Sequence, residues 1–212
     1  MYLPLFIKTQ QLRCLVVGGG SVAARKVERL LASCCALTVV APAADARIRE
    51  AAGRSLLVWH ARKYSSGDCA GFQLVIAATP HEDVNRAVSA EAQELGIPVN
   101  VVDSPRLCTA VFGATWNEGP LMISVSTGGR APFMAAAVRD RIGKATGGMG
   151  PWIEAAGEFR AAVRSEVRDP TTRAHLYRLF AERSRSGSSP SLPQGRTLAD
   201  WLEWLGCSGT AD

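Results

Sequence analysis

The run Arg13-Cys14-Leu15-Val16-Val17 stops at three consecutive glycines, Gly18-Gly19-Gly20, and Ser21 to Ser33 then carries Val22, Ala23, Val27, Leu30 and Leu31 at helical spacing. A continuous apolar strand is buried on both faces, and such strands belong to parallel sheets covered by helices on each side. The pattern repeats. Strands are predicted at Ala36 to Ala41 (closed by Pro42), Leu56 to Trp59, Phe72 to Ala78 and Pro98 to Val102. Helices are predicted at Asp45 to Ala52 and at His81 to Leu95, the latter capped by Gly96. The alternation predicts an α/β chain built on a doubly wound parallel sheet.

After about Phe112 the pattern changes. Leu121 to Ser126 reads as one more strand, followed by the turn Thr127-Gly128-Gly129 and a helix from about Ala131 to Lys144. Gly147 to Pro151 reads as a flexible break. Two amphipathic helices are expected at Trp152 to Arg168 and Pro170 to Arg185, then a Ser/Pro/Gly-rich linker over 184–195 and a last helix, Thr197 to Leu205, docked by Trp201 and Trp204.

Composition limits the function classes. Of 212 residues, 47% are hydrophobic and 20% charged, which is globular rather than disordered composition. Every apolar run falls well short of a bilayer span, and the opening Met1-Tyr2-Leu3-Pro4-Leu5-Phe6-Ile7-Lys8 has no basic segment leading into a sustained apolar stretch. A cytoplasmic protein, with no membrane and no nucleic-acid partner, is the expectation. Cys14, Cys34, Cys35, Cys69, Cys108 and Cys207 form no C-x-x-C pair and read as reduced, mostly buried thiols. Between Arg130 and Arg185 eleven basic residues face six acidic ones, the whole excess behind the net charge of +5. Attraction for an anionic partner therefore belongs to the C-terminal half, although a solvated helical face would look the same.

Gly18-Gly19-Gly20-Ser21-Val22-Ala23 fits G-x-G-x-x-A between a strand and a helix. Gly18 permits the tight turn, Gly20 lets backbone approach a pyrophosphate, and Ala23 allows close packing of helix on strand. The helix N-terminus offers free N–H groups to phosphate oxygens. The choice of dinucleotide stays open: no acidic residue stands at Val40 to Ala43 to hold a ribose hydroxyl, Asp45 lies further along, and no Arg at the strand end suits a 2'-phosphate.

Several longer strings are more specific. Leu3-Pro4-Leu5-Phe6 followed by Cys14 to Lys26, Ala77-Ala78-Thr79 with Val84-Asn85, Asn100-Val101-Val102-Asp103-Ser104-Pro105 and Ser126-Thr127-Gly128-Gly129-Arg130-Ala131-Pro132 occur in this order. Together they closely resemble the precorrin-2 dehydrogenase family, the N-terminal module of siroheme synthase, over about residues 3 to 145. The resemblance implies NAD-dependent oxidation of precorrin-2 to sirohydrochlorin and, in many members, insertion of ferrous iron, with Fe2+ as substrate rather than bound cofactor. It implies a homodimer made of a Rossmann-type domain (1–112), a small dimerisation segment (113–146) and a helical C-terminal domain (147–212). Carried over by position, Ser21, Val22, Pro42 and Ala43 would contact NAD, with Gly18 and Gly20 of the glycine turn and Thr79 beside them, and Asp103 would be the catalytic aspartate. Pro80 and Val111 to Ala114 depart from the family pattern.

Precorrin-2 is an anionic tetrapyrrole with eight carboxylates, which gives the basic helices a partner. Asp103, at the strand edge where open α/β sheets bind ligands, would accept a proton or orient the macrocycle; without the resemblance it reads as a turn or cap residue before Pro105. Ser126, Thr127 and Arg130 would hold a substrate carboxylate, or the hydroxyls would only cap a helix. His60, His81 and His175 are isolated, so no resident metal site is expected. The strand and helix over 113–143 would leave an apolar face uncovered in a lone chain, which also predicts a homodimer. A reading from another class, a non-catalytic NAD-binding regulatory module, explains the glycine turn but none of the other motifs.

Overall fold

The computed structural model describes residues 2–33, 35–184, 191–193 and 195–207, and the chain divides into two compact units, Met1–Phe112 and Gly113–Asp212. The first unit alternates as the apolar pattern predicts: β1 (Arg13–Val17), α1 (Ser21–Leu31), β2 (Ala36–Val40), α2 (Ala46–Gly53), β3 (Val58–His60), β4 (Leu74–Ala77), α3 (Glu82–Glu94) and β5 (Val99–Val101). All five strands are parallel, in the order β3-β2-β1-β4-β5. Cys14 and Val16 pack with α1 and α2 on one face, and Leu15 and Val17 with Val88 and Ala92 of α3 on the other. This two-sided burial is why the strands read as unbroken apolar runs.

The register positions the site. Val17 stands opposite Val40 and Ala77, and Ala77 opposite Val101, so β2, β1, β4 and β5 end at one level. The strand predicted at Leu56 to Trp59 is shifted: Leu56 is exposed, Ser55 turns the chain with φ +57°, and Val58 is the first paired residue. Cys14, Cys35 and Cys69 are buried; burial pushes the Cys69 thiol up to about 12. Cys34 lies outside the described residues.

Glu91 of α3 fastens the loop between β3 and β4. Its carboxylate accepts the Tyr64 hydroxyl and the amides of Gly67 (3.0 Å) and Cys69 (2.7 Å). Burial works against the charge, yet these donors outweigh it and hold the carboxyl below its ordinary value.

In the second unit β6 (Ala114–Glu118) and β7 (Leu121–Val125) form an antiparallel hairpin. β6 has no counterpart in the sequence reading, because Ala-Thr-Trp-Asn-Glu lacks the apolar run by which the other strands are recognised. Helix α4 (Pro132–Ala145) lies on the hairpin, and a Cβ at Gly143 would come within 2.7 Å of the Trp116 indole. The flexible break expected at Gly147 to Pro151 is corrected: α5 (Met149–Glu166) begins inside it. Gly148, at φ +87°, is its N-cap, and Glu118 accepts the Gly148 amide at 2.7 Å, while Pro151 falls in the first turn, where a missing N–H costs nothing.

Asp169 N-caps α6 (Pro170–Arg183), and a Thr197/Asp200 capping box starts α7 (Leu198–Leu205). These helices enclose Trp152, Phe159, Phe180 and Trp201, with Phe159 and Phe180 stacked at 5.0 Å. Of the predicted 184–195 linker, residues 185–190 and 194 lie outside the described residues; Leu192 packs on the aromatic core and the Ser191 carbonyl accepts the Trp204 indole N–H at 2.6 Å. No helix among the described residues is long and apolar enough to cross a membrane.

The Glu91 staple has a sign in pH. A depressed carboxyl contributes stability that is complete above its unfolded pKa and disappears as pH falls through the lower folded value. Glu91→Gln should cost about 1.5 to 3 kcal/mol near neutrality, and urea unfolding should show the gap to wild type shrinking as the buffer is taken well below pH 4.5. A gap independent of pH would refute the charged role.

Candidate dinucleotide site

At the end of β1 the backbone leaves no room for side chains. Gly18 has φ +121°, and a Cβ there would lie 2.3 Å from the Ala78 carbonyl oxygen and 3.1 Å from the Thr79 nitrogen. A Cβ on Gly19 would lie 2.1 Å from the Ala43 oxygen and 2.9 Å from the Ala41 Cβ. The turn is stitched from both sides: Gly18 N donates to Val40 O (3.0 Å), Asp45 N to Gly19 O (2.7 Å) and Ala78 N to Val17 O (2.8 Å). Gly18, Pro42, Ala43 and Thr79 are thereby brought to one place. The Gly19 requirement escaped sequence reasoning, because its cause lies some 24 residues away in the loop after β2.

Gly20 differs. It is the N-cap of α1 with φ −76°, and a Cβ there would meet nothing within 4 Å. No side chain caps α1, and its first turn holds no acidic residue. The result is open space before a helix N-terminus whose first amides, at Ser21, Val22 and Ala23, meet no side-chain acceptor among the described residues. This chemistry suits a diphosphate, so the residues present fit a dinucleotide.

Thr79 is held rather than free. Its hydroxyl donates to Asn85 Oδ1 at 2.8 Å and accepts from the His81 amide at 3.2 Å, while Asn85 Nδ2 returns a bond to Thr79 O at 2.9 Å. Asn85 thus fixes the loop after β4. At the end of β2 an arginine does enter, carried by the first turn of α2. Arg47 donates two bonds to the Asp45 carboxylate (3.0 and 3.1 Å) and approaches Glu28 at 3.3 Å. Hydrogen bonds from Arg47 hold the Asp45 carboxyl down at about 2.

Asp103 is exposed two residues beyond β5, not its last residue, and has φ +56°. Among described non-glycine residues only Ser55 shares that left-handed conformation, which Asp tolerates better than most residues. The Cys108 thiol locks the turn: it accepts the Val101 amide at 3.1 Å and lies 3.2 Å from the Val101 carbonyl and 3.5 Å from that of Ser104. Asn100 Nδ2 adds a bond to Ala110 O at 3.0 Å. Neither supporting role was visible in sequence.

Ser126, Thr127 and Arg130 belong to the second unit. Ser126 Oγ accepts the Gly128 amide (3.2 Å) and Thr127 Oγ1 the Ala131 amide (3.1 Å); Arg130 is exposed. Within the basic helices Arg173 donates to the Val167 carbonyl at 2.6 Å and Arg183 lies over the Trp204 ring, whereas Arg160, Arg164 and Arg168 are exposed. His60, His81 and His175 are exposed, and among the described residues no three His, Cys, Asp or Glu side chains converge.

Sheet order, level strand ends and the glycine turn define a dinucleotide-binding protein of the doubly wound α/β class. Residues 5–114 match the family described as "Putative NAD(P)-binding", and the chain belongs to this NAD(P)-binding family. Residues 118–145 match a second family, "Sirohaem biosynthesis protein central". The chain is 42% identical over 197 residues to a siroheme synthase of Methylococcus capsulatus, covering 92% of this chain and 41% of that protein. A siroheme synthase of Nitrosomonas europaea is 38% identical over 188 residues, covering 88% and 39%. The chain therefore spans about two-fifths of the length of these relatives. The solved structure of SirC, precorrin-2 dehydrogenase, superposes with a TM-score of 0.74 over 97% of this chain and 99% of that one at 21% identity, a likeness of fold.

Two glycine substitutions should separate packing from open space. Gly19→Ala drives a methyl into the Ala43 backbone and should cost about 1 to 3 kcal/mol or more. Gly20→Ala enters vacant space and should lose at most about 1 kcal/mol, as a poorer N-cap. Denaturant unfolding of both variants checks this; equal losses would contradict the assigned geometry.

Proposed function

We propose that this chain carries out NAD-dependent oxidation of precorrin-2 to sirohydrochlorin in sirohaem biosynthesis. The observation that carries the reading is Asp103, a carboxylate held at φ +56° by the Cys108 and Asn100 bonds, beyond β5 on the edge where the glycine turn lies. Backbone strain of this kind persists where surrounding structure over-determines it and is characteristic of functional sites. The siroheme synthase relatives and the second family match support the choice of substrate class.

When bound, NAD+ supplies the acceptor for the hydride. Gly20 leaves room for the diphosphate, and the Ser21 and Val22 amides take its oxygens. Pro42 and Ala43 would border the adenosine end, and Thr79 would close the cradle beside Gly18. Arg47, engaged by Asp45 and Glu28, offers no free guanidinium to a 2'-phosphate, which favours NAD over NADP. Asp103 takes the proton that leaves the tetrapyrrole as the hydride departs and passes it to solvent, which its exposure permits. If ferrous iron is a further substrate, the same carboxylate is the acceptor for the displaced pyrrole protons. Ser126 and Thr127, whose hydroxyls keep a donor after accepting backbone amides, and exposed Arg130 would meet substrate carboxylates.

The reading includes a homodimer through 113–146. Helix α4 buries Ala135 and Gly143 but leaves Phe133 74%, Met134 47% and Val138 39% exposed, and Met122 of β7 is exposed as well. A second copy would cover this face.

Mixing the protein with NAD+ and precorrin-2 generated in situ should convert the visible spectrum to that of sirohydrochlorin, with better efficiency than with NADP+. Asp103→Ala should lower the rate by about 10²- to 10⁴-fold while NADH affinity stays within about twofold of wild type. Full activity in the folded variant would refute the catalytic role. Light scattering at micromolar concentration should give twice the 22.6 kDa chain mass, and a monomer mass would remove the dimer.

A further inference from the structure

Lys26 is half-buried on α1, one turn below Val22 on the same helical face. Side chains on a helix lean toward its N-terminus, so the Lys26 ammonium is carried back toward the level at which the strands end. Nζ lies 4.6 Å from the centre of the Phe112 ring. Asp103 and Cys108, on the segment after β5, are within electrostatic reach, and Arg25 and Arg29 of its own helix also act on it. Among the described residues no carboxylate comes within ion-pair distance of the ammonium and no hydrogen-bond acceptor meets it. Burial, reinforced by Arg29, pulls its pKa below the ordinary lysine value despite Asp103 and Cys108.

A lysine that gives up water normally does so for an anion. Among the described residues the Phe112 face is its one partner, and it satisfies the charge without using the three N–H donors. The exposed Asp103 carboxylate acts on it electrostatically and, among the described residues, is not paired, so both charged ends remain available to a ligand. The diphosphate position is served by the Gly20 to Val22 backbone, a full turn further up α1. The anion that fits Lys26 is therefore one brought by the molecule on which Asp103 acts.

We propose that Lys26 is a substrate anchor: its ammonium binds one carboxylate of the tetrapyrrole and so sets the ring against Asp103. This rests on the dehydrogenase reading and adds a residue to it. No bond is made or broken at Lys26. It acts through substrate position, and Asp103 keeps the proton.

The test compares wild type, Lys26→Met and Lys26→Arg, all checked for an unchanged thermal melt. Lys26→Met should raise KM for precorrin-2 about 10- to 100-fold, the range expected for a lost charge-assisted bond. Its kcat should stay within about threefold and its NADH affinity should be unchanged. Lys26→Arg, which retains charge and donors, should recover most of the loss. Binding of sirohydrochlorin to the same three proteins, followed by its visible absorbance, should weaken in parallel and needs no turnover. An unchanged KM with unchanged sirohydrochlorin affinity overturns the proposal. So does a loss of NADH affinity, or a fall in kcat with a shifted pH profile, which would put Lys26 on the cofactor or on Asp103 instead. If wild type fails to oxidise precorrin-2, the dehydrogenase reading falls, while the sirohydrochlorin titration still decides the fate of Lys26.

Discussion

At Gly18 and Gly19 three chain segments approach more closely than any Cβ would permit. The loop after β4 closes on Gly18 and the loop after β2 closes on Gly19, each with a carbonyl oxygen inside 2.5 Å of where a methyl would stand. That double contact fixes where α1 starts, and with it the place where its uncapped amides face open space. Had either glycine carried a side chain, the β2 and β4 loops would be forced outward. The cradle at Gly20 would then lose its walls.

The rest of the first unit keeps that edge level and stiff. Equal strand ends follow from the parallel register, and the loops beyond them are held by polar side chains that take no part in the ladder. Asn85 holds Thr79, Cys108 and Asn100 hold the turn that presents Asp103, and Glu91 holds the 64–69 loop. Each is satisfied by several bonds, so the geometry costs little in unpaired polar groups. Asp103 and Lys26 are the exceptions, a carboxylate and an ammonium that act on each other electrostatically and, among the described residues, form no ion pair. Groups left in this state are what a ligand can complete.

Much of this architecture was legible in the sequence for identifiable reasons. β1, β2 and β4 are two-sided core strands and read as unbroken apolar runs, and Gly18 and Gly20 sit where a strand hands over to a helix. β6 was not legible, since its alternation around Trp116 is that of a half-covered hairpin. The start of α5 was hidden because Gly147 to Pro151 has the composition of a breaker, while the cap that rescues it comes from Glu118, far back in the chain. Also hidden were the need for a glycine at 19, the Arg47 bridge to Asp45 and Glu28, and the Cys108 lock. The Gly19 approach to Ala43 and the Arg47 reach to Glu28 join segments far apart in sequence, while the Arg47 bond to Asp45 and the Cys108 lock are local but depend on side-chain directions that residue spacing does not show.

The central claim is that the open space beside Gly20 is the seat of the dinucleotide diphosphate. Amide NMR of the intact protein titrated with NAD+ tests it most directly. The account predicts the largest shifts at the Gly20, Ser21, Val22 and Ala23 amides, with smaller ones at Ala43 and Thr79. Shifts concentrated elsewhere, with residues 18–23 unmoved at saturation, would contradict it.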